Sequence, residues 1–400
     1  MNIKSILLGT AAALVAVSGA RAADAIVMVE PEPVEYVRVC DVYGTGFFYI
    51  PGTETCLKIG GYVRMRLQAN DAIDGFEYSN GRNLDGNEDY SFSTRIRTRL
   101  NFDVREETEL GTLRAYARVQ ATNSSTAQTN GYGVGNSQYE MDQAFIQLGG
   151  LTMGKLDSLW AERDGLLTDA DWSVGDISQN RISYTYAANG LSAALSLEDD
   201  GDGDFTPDVV GQLAYEGAWG SAYLSGIYDE DAYSTNNYSV IVDGVVYTID
   251  DYDLDNASDG AFALKAGVSL KDMIAAGSVF KVEGHYAFDA TEYASLAPGG
   301  YLGDTNLGIP SEYQIGAAYQ QSFGKLTAIL SGIYGQTFDF NVGGVQIDGA
   351  DYFGVAGNVG YQLTSNFSVL GEVSYRSLDV PAAVGDLDQT RGFIEFKRSF

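Results

Sequence analysis

Arg95, Arg97 and Arg99 recur at every second position of the stretch Tyr90–Arg105, YSFSTRIRTRLNFDVR. In a strand, alternate side chains point to opposite faces. One face then carries Arg95, Arg97, Arg99, Asn101, Asp103 and Arg105, and the other Ile96, Thr98, Leu100, Phe102 and Val104. Two neighbouring stretches repeat the pattern. Cys56–Gln68 sets Lys58, Tyr62, Arg64, Arg66 and Gln68 against Leu57, Ile59, Val63, Met65 and Leu67. Leu113–Gln120 sets Arg114, Tyr116, Arg118 and Gln120 against Leu113, Ala115, Ala117 and Val119. Crowded guanidinium groups repel one another unless carboxylates or water lie opposite. The chemistry on offer is therefore the recognition and orientation of charge. On a soluble sandwich such a wall would be a solvated outer face. Here its reverse is a continuous apolar face over three strands, a combination that suits a closed barrel with lipid outside and water inside.

Residues that would make or break bonds are sparse. His285 is the only histidine and shares a strand face with Lys281 and Glu283. A lumen-facing or packing role fits it better than the nucleophile, base and orienter set of a hydrolase, so no enzyme is expected. Asp200–Asp204 (DGDGD) has calcium-loop spacing, but Phe205 stands where the sharp-turn Gly belongs and no Glu closes the loop. A solvated acidic loop is the better reading. Gly131–Gly135 lacks the strand-to-helix context of a phosphate cradle. Cys40 and Cys56 without a nearby His fall short of a zinc set. No cofactor or metal is expected.

The elements that must position the basic wall are strands. Met1–Ala22 reads as a secretory signal, with Lys4, an apolar run and the small-residue site Ala20-Arg21-Ala22. No later stretch is apolar enough for a membrane helix, which leaves a closed barrel as the way to cross lipid. The composition agrees, with Gly 48, Tyr 27 and Phe 18 but Pro only 7. A net charge of −30 argues against nucleic acid as a partner. The expected organisation is a signal over 1–22, an N-terminal periplasmic segment over 23–55 and the barrel over 56–400. In an oxidising periplasm Cys40 and Cys56 are expected to pair, tying that segment to the first strand.

From Cys56 onward the pattern predicts sixteen strands, an all-β antiparallel transmembrane barrel. Every second connection is a tight turn, such as Gly149-Gly150, Ala188-Asn189-Gly190 and Phe323-Gly324-Lys325. The others, such as Asp157–Asn180 and Asp229–Asp259, are long and acidic. Short periplasmic turns opposite long extracellular loops are the outer-membrane plan. Tyr238–Ile249 and Phe338–Ile347 carry hairpin signals at Asp243-Gly244 and Gly343-Gly344. They read as extracellular flaps, with two additional barrel strands as the alternative.

The last strand sets Ile394, Phe396 and Phe400 on one face and ends in Phe400, resembling the assembly signal of bacterial outer-membrane barrels. Arg398 departs from the apolar residue of that pattern; at a strand end it can snorkel to the headgroups. With Cys40–Gly44, Cys56–Arg64, Ala144–Leu148 and Thr152–Lys155, the chain resembles the alphaproteobacterial (Rhizobium and Brucella type) general porins. That resemblance implies a homotrimer and a third loop folded into the pore, here Asp157–Asn180. Its acids Glu162, Asp164, Asp169, Asp171 and Asp176 would face Arg64, Arg66, Arg95, Arg97, Arg99, Arg114 and Arg118 across the lumen. The expected function is a passive channel in outer-membrane lipid for small hydrophilic solutes and ions. The acidic rims give it a weak cation preference. A substrate-specific channel, marked by an aromatic slide for which Tyr62 and Tyr116 are too few, and a surface adhesin using the long loops are the alternatives.

Overall fold

A computed structural model of the protein describes residues 38–71, 90–125, 137–170, 174–199, 201, 205–230, 238–242, 245–250, 260–296, 309–342, 345–380 and 385–400. The chain divides into Met1–Arg38 and Val39–Phe400, and the barrel belongs wholly to the second unit. The expected signal lies outside the described residues.

Sixteen strands close into one antiparallel barrel. They are β1 (Cys56–Asp71), β2 (Tyr90–Thr108), β3 (Gly111–Ser124), β4 (Ser137–Leu148), β5 (Leu151–Asp157), β6 (Ser178–Ala188), β7 (Leu191–Asp199), β8 (Asp208–Gly217), β9 (Gly220–Asp229), β10 (Ala261–Lys271), β11 (Ser278–Ala287), β12 (Ile309–Phe323), β13 (Leu326–Thr337), β14 (Asp351–Thr364), β15 (Phe367–Val380) and β16 (Gly385–Ser399). Each pairs with its chain neighbours, and β1 pairs with β16 from Tyr62↔Ser399 to Asn70↔Arg391. Phe400 completes the seam by exchanging backbone hydrogen bonds with Gly61 at 3.0 and 3.1 Å. Closure removes the free edges that lipid could not solvate.

Alternation sorts the side chains as the sequence pattern requires. Arg66 is 4% exposed, while its neighbour Met65 is 41% and Ile96 on β2 is 45% exposed. Leu195, Leu213, Leu264, Ile315, Leu330 and Val373 continue the exposed apolar girdle around the barrel. Aromatic pairs flank it near strand ends, including Tyr215–Trp219 at 6.2 Å and Tyr228–Phe262 at 4.8 Å. Such rings suit the headgroup boundary.

The tight turns fall where Gly and Asn predict them. Between β6 and β7, Asn189 and Gly190 both have positive φ (52° and 81°), the geometry of a type I′ hairpin. The two loop hairpins form, Tyr238–Val242 with Val245–Asp250 and Phe340–Val342 with Val345–Ile347. They join each other through Ile249↔Val342 and Asp250↔Asn341 into a separate four-stranded sheet, so the barrel keeps sixteen strands. The turn dipeptides at 243–244 and 343–344 lie outside the described residues.

Ahead of β1, a short lobe is held by the disulfide Cys40–Cys56, with a Cα–Cα distance of 6.1 Å. Phe47 and both cysteines are buried together, and the strand Phe48–Tyr49 pairs with Cys56 and Leu57. Lys58 Nζ donates to Thr45 O at 3.1 Å. Closing a loop of this size is worth about 3 kcal/mol in the chain-entropy model. Replacing both cysteines by serine is expected to lower the urea midpoint of the folded barrel by a corresponding amount. An unchanged midpoint would mean that strand pairing and Phe47 hold the lobe without the bond.

Candidate functional site

The loop between β5 and β6, residues 158–177, folds along the inner wall. Its base is a small apolar core. Leu159, Trp160 and Val174 pack with Val210, Ile227, Ala263, Ala287 and Tyr293. Trp160 is fully buried, and its Nε1 donates to Val174 O at 3.2 Å. Val174 bridges to Leu296, so the segment 288–296 also braces it.

Beyond this base the loop is tied to one strand after another. Leu159 N donates to Glu198 on β7 at 2.9 Å, and Gln212 on β8 donates to Leu159 O at 2.8 Å. Glu162 pairs with Arg181 on β6, and Asp164 pairs with Lys265 on β10 at 2.6 Å. Lys281 on β11 donates to Arg163 O and Gly165 O at 3.0 and 2.6 Å, while Glu283 accepts from Gly165 N at 3.0 Å. Leu166 is buried over Gly316 of β12, where an added methyl would lie 2.4 Å from its Cδ1. Leu167 then takes φ +69°, a conformation costly for a residue with a Cβ and sustained only by its surroundings. Thr168 meets Ser331 on β13 at 2.7 Å, and Asp169 N donates to Glu372 on β15 at 2.8 Å.

The tip ends on the basic wall. Asp169 forms a two-pronged pair with Arg66 of β1, Nη1 to Oδ2 at 2.6 Å and Nη2 to Oδ1 at 2.8 Å. Arg66 also grips Glu395 of β16 through Nε at 3.0 Å and Nη2 at 2.6 Å. Bidentate guanidinium–carboxylate pairs fix geometry as well as charge. A buried arginine needs such partners, since desolvation otherwise outweighs the attraction.

The remaining arginines share the wall in different ways. Arg64 reaches Glu395 at 3.3 Å. Arg99 bonds Gln120 at 2.7 Å and Asp142 at 3.1 Å, and Arg118 pairs with the same Asp142. Arg114 and Arg105 both bind Asp103, at 2.9 and 2.8 Å. Arg97 donates from Nε to Thr122 at 3.0 Å. Arg95 Nε is buried without a hydrogen-bond partner among the described residues, and the guanidinium groups of Arg97, Arg64, Arg66 and Arg391 are close enough to act on its charge.

Of the loop acids singled out from sequence, Asp169 thus meets the basic wall, whereas Glu162 and Asp164 pair with cations of β6 and β10. Asp176 lies on the returning limb, close enough to Asp164 to act on its charge. Asp171 lies outside the described residues. Sequence reasoning missed Glu395, Arg391 and Lys397, although the outward parity of Ile394 and Phe396 implies that they face inward. It also missed Asp142. A β-bulge there leaves Asp142 unpaired between Gln143 and Met141, breaking the alternation that a strand pattern relies on. His285 is buried on β11, with Nε2 3.2 Å from Ser311 Oγ, in a packed polar position. No cluster of three metal-binding side chains occurs among the described residues.

A family model described as the porin subfamily matches residues 24–397. The chain belongs to the Porin_2 family. Porin Omp2b of Brucella suis biovar 1 and Porin Omp2b of Brucella melitensis biotype 1 are each 35% identical to it over 423 residues, with 100% of both chains covered. The outer membrane channel DcaP of Acinetobacter baumannii shares the fold at a TM-score of 0.58 and 14% identity, covering 88% of this chain and 99% of that one. The trimer form of OmpT, an outer membrane protein of Vibrio cholerae, does so at 0.52 and 11%, covering 87% and 100%. This porin is a bacterial outer-membrane channel.

One loop contact is expected to respond to pH. Burial pushes the Asp164 carboxyl up to about 6 against the pull of the Lys265 ammonium, and Glu283 and Asp176 add to the rise. An acid whose folded pKa is raised contributes stability that is fully present below its unfolded pKa and lost as pH climbs through the folded one. The urea midpoint of the porin is therefore expected to fall between pH 4 and 7 relative to that of Asp164→Asn. The corresponding difference in unfolding free energy is up to about 3 kcal/mol for a shift of this size. Parallel midpoints for the two proteins across that range would refute the assignment.

Proposed function

We propose that the loop of residues 158–177 and the wall of β1–β4 form the constriction of a passive channel for small hydrophilic solutes and ions. The observation that carries this reading is the route of the loop. Its contacts run from β6 through β7, β8, β10, β11, β12, β13 and β15 to Arg66 on β1. Arg95, Arg97, Arg99, Arg114 and Arg118 on β2 and β3 then line the lumen left beside it. Acids on the loop and guanidinium groups on the wall set a field across the opening. Polar solutes can orient in that field, and apolar ones must shed ordered water to pass.

The functional unit in this reading is a homotrimer anchored in outer-membrane lipid, in keeping with the family and with the trimer form of OmpT that shares its fold. The chain has no catalytic role here and no nucleic-acid partner. Its acidic excess, 54 Asp and Glu against 24 Lys and Arg, gives small inorganic ions a weak cation preference.

Single-channel recording tests these statements together. Current steps grouped in threes and a cationic reversal potential in a potassium chloride gradient are expected. Trp160→Ala removes the buried ring at the loop base, a change worth about 3–5 kcal/mol in a packed site. It is expected to give larger, noisier steps as the loop loosens. Steps of unchanged size and quietness would mean that the loop does not set the aperture.

A further inference from the structure

The basic wall is also an aromatic wall. Phe393 of β16 lies under Arg66, with 3.9 Å from ring centre to guanidinium carbon, and 5.9 Å from Arg391. Tyr62 of β1 is ringed by Lys397 at 4.8 Å, Arg99 at 5.4 Å and Arg64 at 5.7 Å. Tyr116 and Phe145 stack at 5.1 Å, and Arg114 lies 5.0 and 5.2 Å from them. Arg105, at the far end of β2, rests against Phe47 and Tyr43 of the disulfide-bonded lobe at 5.2 and 5.8 Å. Register orders these rungs from the extracellular half of the barrel down to its periplasmic end, since Arg66 faces Arg95, Tyr62 faces Arg99, Tyr116 faces Asp103 and Cys56 faces Arg105.

A guanidinium laid on a ring is held in place, yet keeps its in-plane N–H groups for another acceptor. Rotamer freedom is thereby spent before any ligand arrives, and ligand binding then costs less. The supply of carboxylates is uneven along the track. Glu395 and Asp169 are both clasped by Arg66, whereas Arg95 and Arg97, two residues apart on the same face, bond least. Their backbones stand about 7 Å apart, the repeat of one strand face. Two positive centres on one strand face, crowded by the ring-held arginines beside them, attract an anion with two charges more than an anion with one.

We propose that the Arg95–Arg97 station, with the aromatic rungs above and below it, is a binding track for small organic anions carrying two negative charges, dicarboxylates and phosphate monoesters alike. This names a substrate class for the constriction and rests on the reading that β1–β4 line the conducting path. It coexists with a cation preference for small ions, because cations follow the acidic side of the lumen.

The test is interruption of the current through purified full-length porin in a planar bilayer at about 0.1 M potassium chloride, where the Debye length of about 10 Å exceeds the spacing within the station. Succinate, glycerol phosphate, inorganic phosphate and acetate are added in turn. Succinate and glycerol phosphate are expected to interrupt the current reversibly, with acetate at least about ten-fold weaker. Arg95→Gln and Arg97→Gln are each expected to weaken the interruption about ten-fold, as the loss of a charged hydrogen-bond donor implies. Arg95→Lys, which keeps the charge but loses the fork, falls between. Lys325→Gln, in the turn between β12 and β13, serves as the charge-matched control and retains wild-type interruption. Heat-modifiable mobility on gels confirms that each variant is folded.

Interruption by one organic dianion alone supports the track and selects the carboxylate or the phosphoryl class. Interruption by inorganic phosphate alone, equal effects of succinate and acetate, or wild-type affinity in both glutamine variants would overturn it. Absence of current steps in potassium chloride alone would instead overturn the channel reading on which the track rests, so the two failures are told apart.

Discussion

Everything inside this barrel depends on the dryness of its outside. Strand alternation sends one residue in two to hydrocarbon, where an ionised group costs about 2–4 kcal/mol at mid-depth. Charges are therefore confined to the inner surface, and there they are close enough to need one another. Arg66 shows the result, a nearly fully buried guanidinium shared by a carboxylate of the closing strand and one of the inserted loop. Removing Arg66 would strip Asp169 and Glu395 of their shared counter-ion, the costly case for an interior ion pair. Loop and wall are thus one electrostatic object.

The loop is held by more than its acids. Its backbone amides and carbonyls find Glu198, Glu283, Glu372, Gln212 and Lys281 on strands far apart in the chain. A loop that turns inward takes its peptide groups out of bulk water, and these side chains replace the lost hydration. The left-handed Leu167 is tolerated for the same reason, with Leu166 seated over Gly316 on one side and Thr168 bonded to Ser331 on the other. In the proposed channel such a segment would act as a fixed narrowing rather than a swinging flap.

Much of this was legible in the chain. Parity in Cys56–Gln68, Tyr90–Arg105 and Leu113–Gln120 told which residues face water, because a period of two survives any error in strand ends. The tight turns were readable from Gly and Asn, since positive φ has few takers. Height along the barrel was not readable. Parity assigns Lys265, Glu283 and Glu372 to the inner face but does not say which of them meets residue 164, 165 or 169 of a loop with no period of its own. Asp142 escaped for a local reason, the bulge that shifts its strand by one. The rings of Phe393 and Phe145 were invisible as partners of arginine because they come from strands that become neighbours only through closure and register.

The seam between β1 and β16 carries a consequence for biogenesis. Tyr62 is paired with Ser399, and Gly61 with Phe400, so the ring cannot be sealed until the two most distant strands of the barrel have met. Contacts of such sequence separation form late, because the entropy of bringing distant segments together is lost before they bond. Until then β1 offers an unsatisfied ladder, and the only covalent crosslink available to it is the local bond from Cys56 to Cys40. The bond to the lobe is local and the bond to β16 is remote, so β1 can be stapled at its start well before the ring shuts.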